Sequence, residues 1–275
     1  MTSTTQKYFN LLCELRRSYK FEIVAEESQY DPVISYEVPS REESAAFLEF
    51  LQNELALYST RFINRLQIDK IILGNKIHRV DQPIVGCASM SLFPDSLPLR
   101  VLFRKNTIYL AADQCNTVDG RICIHHELFH AIEAHEERWP KYFDPIWPNL
   151  NPRAFRYKED SLSNESYENQ LDCDGFLSSY SMRTVREDKA ELFSHMVVNF
   201  ARVEELASKD KFLRAKTQRM KQILKAFNEE FDESFWRKRE QNSLNGTAKI
   251  SYEQLLLRKL QDALVNEELS TQESG

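Results

Sequence analysis

Between Cys123 and Ala131 the chain reads C-I-H-H-E-L-F-H-A, which sets His126, Glu127 and His130 in the spacing H-E-x-x-H. That spacing has a chemical meaning only on a continuous α-helix. Residues four apart lie one turn up and about 40° round, so both imidazoles project to one side and can reach the same ion. Glu127 stands too far round to grip that ion comfortably, but within reach of a water held by it. The flanks agree with a helix. Asn116, Thr117 and Asp119 stand at its start, apolar residues recur through 118–138, and Trp139-Pro140 ends it. The pattern predicts an amphipathic helix directly after a strand, Asn106–Ala111.

Two histidines and a neighbouring glutamate at this spacing point to one catalytic zinc ion. Such an ion lowers the pKa of its water to about 7. Glu127 would then accept the water's proton and return it to a leaving amine, as a general base and acid in amide hydrolysis. Five of the six histidines fall between His125 and His195. His125 points about 100° away from His126 on a helix, and His135 fits no ligand spacing, so both read as packing or supporting residues.

A catalytic zinc keeps three protein ligands and one open position. The extension HExxHxxGxxH fails here, with Glu133 in place of its glycine and Glu136 in place of its last histidine. A carboxylate from a later helix remains. The stretch from Arg186 to Met196 is helical in pattern and puts Glu187, Asp188 and Glu191 on or near one face. Glu191, beside Leu192, Phe193 and Met196, lies on the margin of a buried stripe, where an acid needs a compensating partner. Glu187 competes from one turn earlier. Whichever carboxylate does not bind the ion would orient a ligand histidine.

The pair of HExxH and a distant E-D-x-A-E-x-F resembles the gluzincin metallopeptidases, especially the anthrax-lethal-factor-like and related zinc-binding groups. The resemblance spans about residues 106–200. It implies a zincin-like α+β fold, a zinc-dependent endopeptidase activity, and metal ligands His126, His130 and Glu191, the last within Ala190-Glu191-Leu192-Phe193. It also implies a catalytic tyrosine. Gly175-Phe-Leu-Ser-Ser-Tyr180-Ser is similar to the family's approach segment, and Tyr180 would donate a hydrogen bond to the tetrahedral oxyanion.

Around this centre the chain divides into an N-terminal α/β part, 1–112, and a part of helices and loop, 113–275, expected to form one catalytic unit. Strands are expected at 21–24, 33–38, 68–73, 84–92, 99–103 and 106–111. Helices are expected at 6–17, 41–58, 185–206, 211–230, 231–239 and 251–265. Asn106–Ala111 is the candidate edge strand for pairing with substrate backbone. The basic residues from Lys209 to Lys225 read as a solvated helix face.

Six glycines in 275 residues argue against a glycine-rich nucleotide site, and a net charge of −6 gives nucleic acid no electrostatic reason to bind. No stretch nears the roughly 20 apolar residues of a membrane helix. The N-terminus lacks the layout of a secretory signal. Five scattered cysteines, with no CxxC pair, suit reduced thiols. The expected place is the cytoplasm, or export without a classical signal. The expected partner is a peptide or protein substrate. Two rivals are a non-proteolytic zinc amide hydrolase and a catalytically silent zincin-fold binding protein.

Overall fold

Ser40 and Glu43 close a reciprocal capping box: Ser40 Oγ accepts from Glu43 N at 3.2 Å, and Glu43 Oε2 accepts from Ser40 N at 2.7 Å. This satisfies two amides that a helix start would otherwise leave unpaired. It launches α2 (Arg41–Leu55), whose Ala45, Phe47, Leu48, Leu51 and Leu55 are all buried. The chain is seen in a computed structural model that describes residues 3–25, 34–79, 82–84, 86–90, 106–136, 144–157 and 174–244.

Before α2 come α1 (Ser3–Ser18), β1 (Glu22–Val24) and β2 (Ile34–Glu37). After it come α3 (Thr60–Arg65), β3 (Lys70–Arg79), β4 (Gln82–Pro83), β5 (Gly86–Met90), β6 (Asn106–Ala111) and α4 (Val118–Glu136). The second half holds α5 (Val185–Val198), α6 (Phe200–Lys209), α7 (Lys211–Phe227) and α8 (Glu233–Leu244). This is the α+β architecture expected, a mixed sheet followed by helices. The expected strand at 99–103 and the expected helix at 251–265 lie outside the described residues.

The sheet runs β1-β3-β6-β5, with β1 and β6 parallel to β3 and β5 antiparallel to β6. The far half of β3 pairs with β2 and β4 instead. β6 is therefore an inner strand, not the edge that was expected. Its run Ile108-Tyr109-Leu110-Ala111 is buried without alternation, as befits a strand covered on both faces. Among the described residues the outer strand beside it is β5.

Two further differences are local. α3 was not expected, because six residues are too few to show a period; the hydroxyl of Ser59 caps it by accepting from Phe62 N at 3.1 Å. The helix expected over 185–206 is broken at Asn199 (φ −142°, ψ 59°), whose amide closes α5 on His195 O at 2.8 Å. No proline or glycine marks that break.

One hydrophobic core takes residues from both halves, from Leu15 and Leu51 through Phe129 and Phe193 to Trp236. α4 runs through it. Residues 124–134 are buried without interruption, so this helix is covered all round rather than amphipathic as expected. Gly86 makes the close approach possible, since a Cβ there would run into Cys123 Sγ on α4 and Tyr109 O on β6. α5 covers another side of α4, with Phe129 and Phe193 in ring contact at 5.4 Å.

Beneath α5, Lys216 Nζ of α7 meets Asp188 Oδ2 at 2.8 Å, with side-chain exposures of 0% and 3%. Asp188 also accepts from Trp147 Nε1 at 2.8 Å and from Tyr157 OH at 2.5 Å. Lys216→Met would leave this buried carboxylate without its compensating charge. It is expected to lower the unfolding free energy by about 3–5 kcal/mol in a urea titration. The double change Lys216→Met with Asp188→Asn should cost less than the single one.

Candidate metal centre

Burial on all sides obliges every polar side chain of α4 to find a partner. Thr117 opens the helix, its Oγ1 accepting from Gly120 N at 2.9 Å. Two turns on, His125 is wholly buried between Tyr58 and Glu54: Tyr58 OH lies 2.9 Å from its Nδ1 and Glu54 Oε2 lies 2.9 Å from its Nε2. Arg121 Nε donates to the other Glu54 oxygen at 2.8 Å. Burial holds the His125 ring below its usual pKa, against the pull of Glu54. This residue ties α4 to α2 and supports the site without facing it, as expected for it. His135 packs edge-on against Phe227.

His126 and His130 do converge. Their Nε2 atoms lie 3.1 Å apart, and Glu187 Oε2 lies 3.0 Å from the first and 3.4 Å from the second. Zinc bonds of about 2.0–2.2 Å to nitrogen and oxygen imply tetrahedral edges of about 3.3–3.6 Å. The separation of 3.4 Å matches such an edge and those of 3.0 and 3.1 Å fall slightly short of it, so the three atoms are close enough together for one ion to meet them all. Among the described residues, His126, His130 and Glu187 are the group of donors close enough together to hold a metal.

Glu191 stands elsewhere. Its Oε1 lies 3.2 Å from the other nitrogen of His126, Nδ1, and its Oε2 accepts from Ser178 Oγ at 2.6 Å. The expected ligand thus faces the back of the His126 ring, and the expected competitor faces the front. Asp188 does not share the face at all. It lies about 100° round from Glu187 and turns to Lys216.

His130 has an equivalent support that the sequence reading passed over. Its Nδ1 lies 3.4 Å from Glu133 Oε2, while Lys189 Nζ donates to Glu133 Oε1 at 3.2 Å. Glu133 and Lys189 are both buried. The signal was available: Glu133 is one turn from His130 on the same face.

The electrostatics calls for a cation. Burial opposes charge on His126, but hydrogen bonds to Glu187 and Glu191 outweigh it and raise the ring's pKa. His130 is raised in the same way by Glu133 and Glu187. Glu187 is held well below the usual carboxylate range, despite its burial, by the two rings. The donor set, two imidazoles and a carboxylate ringed by further carboxylates, fits a divalent ion.

Glu127, buried at 5% exposure, directly follows His126 on α4. Tyr180 begins a short 3-10 turn, Tyr180–Met182, that precedes α5. Its ring centre lies 5.8 Å from that of His126, and the Arg183 guanidinium sits 4.9 Å from it on the ring face. Burial of the hydroxyl, together with the charges of Glu187 and Glu127, holds the phenol above its usual range. It keeps its proton and stays a donor.

The family described as "putative zinc-binding metallo-peptidase" matches residues 101–240. The chain belongs to this zinc-binding metallopeptidase family. A solved structure described as a "putative zinc-binding metallo-peptidase" from Bacteroides caccae shares the fold, with a TM-score of 0.54 over 91% of this chain and 96% of that one. The two are 16% identical, so that likeness speaks for the fold alone. No curated protein matches the sequence. Within the metallopeptidase, no described helix is long and apolar enough to cross a membrane.

Proposed function

We propose that this metallopeptidase hydrolyses peptide bonds as a single-zinc gluzincin, with His126, His130 and Glu187 holding the ion. The observation that carries this is the convergence of His126 Nε2, His130 Nε2 and Glu187 Oε2 from two helices, beside an acid, Glu127, that is not part of the triangle. Glu191 and Glu133 then take the back nitrogens of the two histidines and fix their rings. In this reading the third ligand is Glu187, and Glu191 is the orienting carboxylate.

Zinc bound there supplies a Lewis acid and an acidified water at neutral pH. Glu127 accepts the proton of the attacking water and delivers it to the nitrogen of the departing amine. Tyr180, with its proton retained, donates to the oxyanion that develops on the scissile carbonyl. The substrate lies extended along the side of β5, the strand packed against α4, that no other described strand occupies, and adds its backbone to the sheet. Both halves contribute to the core, and we read them as one catalytic unit acting on peptide or protein substrates.

The test is a quenched fluorescent peptide mixture with the zinc-loaded chain. Cleavage that a chelator stops and zinc restores supports the proposal. Turnover of formylated peptides alone would favour the non-proteolytic amide hydrolase, and zinc uptake without turnover would favour the silent binding protein.

Metal uptake has its own pH signature. Both rings are raised above their ordinary 6.5, so the metal-free pair carries a proton at pH 7 that the ion must displace. Zinc affinity is expected to rise with pH through neutrality. Calorimetry at pH 7 in buffers of different ionisation enthalpy should show at least one proton released per ion.

A further inference from the structure

Glu191 divides its two oxygens between the metal centre and a different segment. Oε1 faces His126 Nδ1 at 3.2 Å, and Oε2 accepts from Ser178 Oγ at 2.6 Å. Ser178 lies two residues before Tyr180. Its hydroxyl works twice, since it also accepts from Ser181 N at 3.1 Å. Ser181 answers by donating its own Oγ to Ser178 O at 2.6 Å. Met182 N on Ser179 O at 3.2 Å and Arg183 N on Tyr180 O at 3.1 Å close the turn.

Tyr180 remains 41% exposed, one of the few large hydrophobic residues in the described chain to be so. Its ring is flanked by the His126 ring and the Arg183 guanidinium, and its place also depends on the turn that carries it. The turn is joined to the histidine's carboxylate by a short hydrogen bond to an ionised acceptor, the strong kind. The same carboxylate sets the ring plane of His126. Ring and turn cannot move independently while that bond holds.

We propose that Ser178 is a positioning residue that clamps the Tyr180 turn to the carboxylate orienting His126, so that filling the metal centre also orders Tyr180. The inference rests on the site assigned under Proposed function. It adds a coupling between metal loading and the oxyanion donor, carried by one serine hydroxyl. A peptidase so built would hold its oxyanion donor more firmly once its ion is bound.

Hydrogen–deuterium exchange on the full chain tests the clamp without any substrate. The readout is the amides of Met182 and Arg183, whose acceptors are not Ser178. In the metal-free protein, Ser178→Ala should speed their exchange about tenfold or more, the scale of a lost hydrogen bond to a charged group. Zinc should slow both amides in the natural chain and much less in Ser178→Ala, with one zinc still bound by each. Ser178→Thr, which keeps the hydroxyl, should behave as the natural chain does. In turnover, Ser178→Ala should lower kcat about as far as Tyr180→Phe and add nothing on the Tyr180→Phe background. Unchanged exchange in Ser178→Ala, an equal zinc effect in both proteins, or losses that multiply in the double variant would each overturn the clamp. A natural chain that takes up no zinc would sink the peptidase reading instead. The metal-free exchange comparison would still decide whether Ser178 holds the turn.

Discussion

Glu127→Gln is expected to lower kcat on a cleaved peptide by a factor of about 10²–10⁴, the range of a lost general base, while one zinc remains bound. Glutamine keeps the size of the side chain and a carbonyl oxygen that can still accept a hydrogen bond from water. It cannot take the proton. Glu127 is buried at 5% exposure, where an ionised carboxylate is costly. Removing its charge should therefore leave the melting temperature unchanged or raise it. The charge also helps hold the proton on His126, so the variant's metal-free centre should release its proton at a lower pH. The decisive measurement is kcat at matched zinc content. A variant with one zinc and natural turnover would remove Glu127 from the mechanism and leave the metal geometry standing.

What could be read from the sequence was what lies within a few residues along the chain. His126, Glu127 and His130 were legible because one helical turn sets their relation, and α2 because a capping box and a clean apolar stripe coincide in it. β6 was legible as a strand but not as an inner one. Whether a strand has one neighbour or two depends on β3 and β5, segments distant in sequence. The break at Asn199 was hidden because the residue carries no backbone restriction of its own.

The same division runs through the site. Supports that come from far away, Glu54 and Tyr58 on His125 or Ser178 on Glu191, leave no periodic trace. Glu133 did leave one, three residues after His130, but an acid at that distance on a helix is ordinary. It gains meaning only when Lys189 of α5 is seen to neutralise it. Burial of α4 on every side is what turns these acids from solvated residues into fixed partners of the rings.

The largest effect on metal binding is expected at Glu187 rather than at Glu191. The two stand one turn apart on α5, so sequence spacing alone cannot rank them; the offset of α5 along α4 does. That offset puts Glu187 Oε2 against both Nε2 atoms, at 3.0 and 3.4 Å, and leaves Glu191 with Nδ1 of His126 alone among the two ligand rings. Both carboxylates are held below their usual pKa, each despite its burial, so both are ionised at neutral pH and charge does not separate them. Position does. Glu191→Gln keeps an oxygen that can still accept the Nδ1–H of His126, and should weaken zinc by about 10–100-fold, the usual cost of losing an orienting partner. Glu187→Gln removes a donor from the triangle itself, and should weaken zinc by more than about 100-fold, beyond that range. Competition with a chromophoric chelator at pH 7 measures both. If Glu191→Gln emptied the centre while Glu187→Gln kept its ion, the metal would sit on the other side of His126, bound through Nδ1, and the triangle of Nε2, Nε2 and Oε2 would be a hydrogen-bonded cluster rather than a coordination face.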